Sequence, residues 1–173
     1  MQEITAMRRT KSTPEFNRTR FDAGFSLIEL LVVVAVILII AAIAIPNYIQ
    51  SKMRANEASA VQNLRNISTA EIVYSTTYGI NYSTSLVQLS GTGINPDQNN
   101  AGLIDEVLAT GIKSGYVIAY TQLTTDANGH TATYSVTADP LSASTGQRHF
   151  YTDQSCVIRS NVSVQAGPTD LPL

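Results

Sequence analysis

A lone carboxylate in an apolar setting is the most unusual chemical feature of this 173-residue sequence. Glu29 lies in Phe25–Ile45, a run of about 21 residues, roughly the length that crosses a bilayer as a helix. Ser26 is the only other polar residue in it. A carboxylate at the centre of a membrane segment costs about 2.5–3.5 kcal/mol on insertion scales. Four residues after Phe25, Glu29 can sit nearer an interface, which lowers that cost. It is therefore either a tolerated interfacial acid or an acid awaiting a cation in apolar surroundings, where such a pair would fix register. The run contains no base. A free α-amino group would serve if the chain were cut just before Phe25.

The other groups that could do chemistry are scattered. His130 and His149 have no second ligand at metal spacing and are expected to be solvated or packed. Cys156, the single cysteine, is expected to be a small strand residue; alone it excludes an intrachain disulfide and any multi-cysteine zinc site. Asp105-Glu106 suits the start of a short helix, where the dipole favours acids, better than an acid–base pair. Asn95-Pro96-Asp97-Gln98-Asn99-Asn100 offers oxygen ligands for calcium but lacks the several acids of a calcium loop, and a plain turn is preferred. Tyr74, Tyr78 and Tyr82, spaced by four, are expected to cover apolar surface; an aromatic electron path is the sharper, less favoured reading. With no Ser–His–Asp, Cys–His or phosphate-cradling glycine pattern, the expectation is a non-enzyme with no cofactor and no metal.

The elements that position Glu29 follow from composition. Charged residues make up 14% of the chain, against a typical value of about 25%. The net charge of −2 gives no overall basic footprint for nucleic acid. It is unevenly spread, since residues 1–24 hold five of the eleven bases and three of the thirteen acids. A basic start, an apolar run and then a polar body rich in Ser, Thr, Asn and Gly is the layout of a membrane-targeted chain. Ile45-Pro46-Asn47 offers no small-residue cleavage site, so the run is expected to be retained. Bases on its N-terminal side predict a cytoplasmic N-terminus and an outward body.

Gly24-Phe25-Ser26-Leu27-Ile28-Glu29-Leu30-Leu31, the apolar run, and Ala44-Ile45-Pro46-Asn47-Tyr48 together resemble the N-terminus of type IV pilins and pseudopilins. The resemblance covers about Gly24–Leu64. It implies that prepilin peptidase cuts between Gly24 and Phe25, and that Phe25 is then N-methylated. It also implies that Glu29 meets a neighbouring subunit's N-terminus during assembly, and that Pro46 is the family's helix-kinking proline. Two departures stand out. Leu38 occupies the neighbourhood where the family often has a glycine, so loosening of the helix would start only from Pro46. The 24-residue leader is also long for the commonest subclass.

Beyond Pro46, Ile49, Met53, Ala60, Leu64, Ile67 and Tyr74 mark one face of a helix, with Gly79 as its stop. Phe25–Tyr78 is thus predicted to be one helix. Leu103–Ala109 is a short-helix candidate closed by Gly111. Tyr116–Thr121 and Thr131–Thr137 are expected strands around the hairpin signal Asn128-Gly129. Arg148–Thr152 and Cys156–Arg159 are expected to form a second hairpin turning at Asp153-Gln154-Ser155. The predicted class is α+β: a pilin-like long N-terminal helix, half transmembrane and half amphipathic, packed on a roughly four-stranded antiparallel sheet. The expected regions are 1–24 leader, 25–45 membrane and filament-core helix, 46–78 amphipathic half, 79–114 connection with a short helix, and 115–173 sheet and tail.

The expected function is that of a type IV pilus subunit, held in the inner membrane before assembly into a homo-oligomeric helical filament. The resemblance implies as partners the prepilin peptidase, an assembly platform and ATPase, and minor pilins; lipid is the partner before assembly. A type II secretion pseudopilin is the alternative. Against it, the chain lacks Trp and an acidic calcium-binding end; against a pilin, one cysteine cannot close a C-terminal disulfide. A membrane-anchored binding head that forms no filament is a third reading, and it predicts no processing at Gly24.

Overall fold

A computed structural model describes residues 24–91 and 95–173; of the leader expected over residues 1–24, all but Gly24 lies outside the described residues. The longest element is α1, Leu27–Tyr78, 52 residues with Pro46 inside it. The chain divides into two compact units, one ending at Ala41 and one spanning Ala42–Leu173. In the first, the α1 side chains are exposed, apart from a half-buried Ala41.

In the second unit, α1 is followed by two single-turn helices, α2 (Leu86–Leu89) and α3 (Glu106–Ala109). Five strands come next: β1 (Ile112–Lys113), β2 (Tyr116–Thr125), β3 (Thr131–Pro140), β4 (His149–Asp153) and β5 (Arg159–Asn161). They form one antiparallel meander in chain order. The register pairs Ile118 with Ala138, Tyr120 with Val136, and Ala138 in turn with Phe150. Strand side chains alternate between faces, so this set falls on one side. There it buries Tyr116, Ile118, Tyr134, Val136, Ala138 and Phe150 in one cluster with Ala60, Leu64, Ile67 and Tyr74 of α1.

The α+β class and the helix-on-sheet arrangement are those expected from sequence, with five strands instead of four. The extra strand is β1, set between two left-handed glycines, Gly111 (φ 77°) and Gly115 (φ 77°); two residues are too few for a periodic signal. The last strand is displaced. Cys156 is not in it but exposed in the preceding turn at φ 59°, its N–H donating to Asp153 O at 2.9 Å. Strand pairing resumes only at Arg159. The short-helix candidate shrinks to Glu106–Ala109, and α2 is an element the sequence did not announce. On α1 the apolar face meets the core only from Ala60 onward: Ile49 stays exposed and Met53 half-buried.

Candidate functional site

Gly24 and Phe25 precede the helix, and Phe25 is 77% exposed. A Cβ built on Gly24 meets no atom within 4 Å among the described residues, so packing there does not demand glycine. Glu29 lies in the first turn of α1 and folds back on it: its Oε2 accepts the Ser26 N–H at 2.8 Å. Leu30 N–H donates to Ser26 O at 3.2 Å. Ser26-x-x-Glu29 has the spacing of a capping box, in which the acid satisfies an amide left over at the helix start. That spacing was legible in the sequence and adds a local role to the inferred one. Among the described residues no base pairs with Glu29. Around it Phe25, Ile28, Val32 and Val33 line an open apolar hollow.

Pro46 sits inside α1 without an N–H to give to the carbonyl one turn back. The neighbouring Asn47 Nδ2 donates to Ile43 O at 3.1 Å, and the Ser51 hydroxyl to Asn47 O at 2.9 Å. Further along, α1 grips the loop between β3 and β4. Asn56 Nδ2 donates to Thr145 O at 2.8 Å, and Glu57 Oε1 accepts the Gln147 and Arg148 amides at 3.0 and 3.3 Å.

The other candidates resolve into structural parts. Asp97 Oδ1 accepts the Asn99 and Asn100 amides at 2.8 Å, a turn held by its own acid. Asp105 caps α3 through Leu108 N–H and pairs with Lys113 at 2.7 Å; that lysine's hydrogen bond holds its carboxyl below the usual range. His130 stands 3.4 Å from Asp126 in the β2–β3 turn, and His149 Nδ1 lies 2.6 Å from Asp139 Oδ1. No group of three His, Cys, Asp or Glu side chains able to hold a metal occurs among the described residues. Tyr74 is fully buried, and Tyr78 and Tyr82 pack half-buried against the core.

Glu71 went unremarked in the sequence. It is fully buried and accepts both the N–H and the hydroxyl of Ser83. Burial pushes its carboxyl above the ordinary value, partly offset by those bonds. Its spacing from Ile67 and Tyr74 puts it on the apolar stripe, and that was the available signal.

A long helix with an exposed apolar first part and an antiparallel meander packed on its second gives the α+β architecture of a pilin-like subunit. Residues 19–45 match the prokaryotic N-terminal methylation motif. The chain is similar to the type IV major pilin protein PilA of Myxococcus xanthus, 52% identical over 50 residues, or 29% of this chain and 23% of that protein. Two fimbrial proteins of Pseudomonas aeruginosa are 38% identical over 112 residues, 55% of this chain and 72% of theirs. The chain belongs to the type IV pilin family. The names of these relatives are those of structural proteins, not enzymes. Membership and an apolar helix long enough to cross a bilayer fit membrane anchoring and a place in a pilus.

Proposed function

We propose that the chain is made as a prepilin that spans the inner membrane once through residues 25–45, N-terminus in the cytoplasm. Prepilin peptidase removes residues 1–24 by cutting after Gly24, Phe25 is N-methylated, and the processed subunit enters a homopolymeric filament. An assembly platform and ATPase drive that transfer, with minor pilins as companions. Residues 25–45 form the filament core, Pro46 supplies the bend where the helix leaves it, and the sheet is displayed outside.

The observation that carries this reading is Glu29, an acid on an exposed apolar helix whose partner among the described residues is one amide three residues away. Cutting before Phe25 creates the missing cation, an α-amino group with a reference pKa of about 7.7–8.0. In a water-poor filament core a neighbour's amine and Glu29 neutralise each other, where either alone would cost several kcal/mol. Gly24 fits a requirement imposed from outside the fold, since no described atom crowds its missing side chain. Lipid and neighbouring apolar helices solvate the run almost equally, so assembly gains little hydrophobic free energy and depends on packing and this pair. The test is the intact mass of chain purified from membranes and from sheared filaments. A mature species beginning at N-methylated Phe25 is expected; an unprocessed chain in filaments would overturn the proposal.

A further inference from the structure

Just beyond Ile45, α1 carries a collar of exposed groups: Tyr48 (67% exposed), Lys52 and Arg54. At 1.5 Å per residue they stand about 4, 10 and 14 Å further along the helix. The polar layers flanking the hydrocarbon are about 5–7 Å deep on each side. Tyr48 therefore falls at headgroup level, where its ring and hydroxyl suit the interface. Lys52 and Arg54 are long enough to reach back to that level with their stems on the helix. Two residues apart, they point about 200° from each other around the axis. One cation thus faces each side.

The nearest acid is already engaged. Glu57 accepts the Gln147 and Arg148 amides, and Arg148 Nε lies 3.9 Å from its other oxygen. Arg54 and Arg148 flank a groove of about 230 Å³ that Glu57, Ala58, Val61, Phe150 and Leu173 also line. The two guanidinium groups suit the phosphate of a lipid headgroup, because a guanidinium binds phosphate oxygens in a bidentate fork.

We infer that Arg54 with Arg148 on one side of α1, and Lys52 with Tyr48 on the other, seat the headgroups of anionic phospholipids in the leaflet where the apolar run ends. The partner is the bilayer holding the unassembled subunit, and the inference rests on the membrane-spanning reading above. Contact with the leaflet would hold the β3–β4 loop end of the sheet against the membrane until the subunit is extracted.

The experiment uses the full chain in phosphatidylcholine vesicles doped with spin-labelled phosphatidylglycerol or spin-labelled phosphatidylcholine. The motionally restricted fraction of each label gives their relative association with the protein. Preferential restriction of phosphatidylglycerol is expected, falling about two- to five-fold in Arg54→Gln or Lys52→Gln, as suits a cation held at an anionic surface. Arg148→Gln should fall similarly, and Arg65→Gln, a base 11 residues past Arg54 on the same helix, should change nothing. Unaltered melting of the variants establishes that they are folded. Absence of preference in the wild type, or an equal fall in Arg65→Gln, would overturn the inference. So would unchanged preference with lost filaments, which would make a neighbouring subunit the occupant. A wild-type chain that never enters phosphatidylcholine vesicles would sink the membrane-spanning reading, and this inference with it.

Discussion

Glu71 and Ser83 are joined twice: the Ser83 N–H donates to one carboxylate oxygen at 2.9 Å and its hydroxyl to the other at 2.5 Å. The Tyr120 hydroxyl closes the set by donating to Ser83 O at 2.7 Å. Through these three residues the end of α1, the chain that follows it and β2 are tied inside the core. Tyr74, Tyr120 and Tyr134 face the same carboxylate, and each has its hydroxyl pKa raised, first by burial and then by Glu71.

Glu71→Gln should keep this network, with Oε1 accepting the Ser83 N–H and Nε2 donating to the hydroxyl, while removing a buried charge. Because the folded pKa lies above the ordinary 4.5, Glu71 contributes most to stability below that value. The contribution is lost as pH rises through the folded value. Asp105 and Asp126 have lowered values and slope the opposite way, losing stability as pH falls. The measurement is therefore the difference in unfolding free energy between wild type and Glu71→Gln across pH 4–8, scanned in units of about one. The variant should gain on the wild type as pH rises. A flat difference would mean that the carboxylate is not desolvated. Glu71→Ala should instead lose about 1–3 kcal/mol, leaving the Ser83 amide without its partner.

Gly146→Ala should destabilise the protein by about 1–3 kcal/mol through overpacking. An added Cβ would stand 2.8 Å from Tyr116 Cζ, and that buried ring is fixed by its hydroxyl donating to Arg148 O at 2.9 Å. Tyr116→Phe in the same background should recover part of the loss, since the hydroxyl is the nearest obstacle. Urea midpoints of the four proteins in the cycle measure this, and strict additivity would contradict the contact.

Asp170 holds the C-terminal segment without a covalent link. Its carboxylate accepts the Gly167 amide at 2.8 Å and Asn161 Nδ2 at 2.9 Å, while its carbonyl accepts from Arg159 Nη1. Beyond it, Leu173 N–H donates to Ile158 O. Asp170→Ala should speed amide exchange in residues 159–173 by about ten-fold or more, the equivalent of one or two lost hydrogen bonds. Exchange at Leu64 and Ile67 should be unaffected. Equal acceleration everywhere would show global unfolding instead of a released tail.

Glu29→Ala should leave insertion and cleavage intact and impair assembly. Insertion becomes easier without the acid, and Gly24-Phe25 is untouched. The variant also loses the Ser26 cap, so Glu29→Gln is the better separated control: its carbonyl can still accept that N–H while the charge is gone. Both variants should accumulate as processed subunit and yield little sheared filament. Normal filament from Glu29→Gln would reduce the acid to its capping role.

What was legible in the sequence is local. The long helix follows from the apolar run and the 3.6-residue stripe beyond it, and the β2–β3 hairpin from Asn128-Gly129, where Gly129 takes φ 83°. Those signals need no distant partner. The site residues at the helix start fall in the same class: Ser26 and Glu29 are three apart, and their bond is set by helix geometry alone.

The tertiary structure decided what depends on contacts across long stretches of chain. Cys156-Val157-Ile158 has strand-like composition, yet the turn after Asp153 takes Cys156 at positive φ and pairing begins at Arg159. Glu57 looks like one more surface acid until the β3–β4 loop, some 90 residues on, brings two amides to it. Asp139 meets His149, and Asp170 meets Asn161, only because the meander lays those strands and the tail side by side. Local sequence fixes backbone preference over a few residues. Where a polar side chain finds its partner depends on which elements pack together, and that is settled by burying the whole cluster from Ala60 to Ile158 at once.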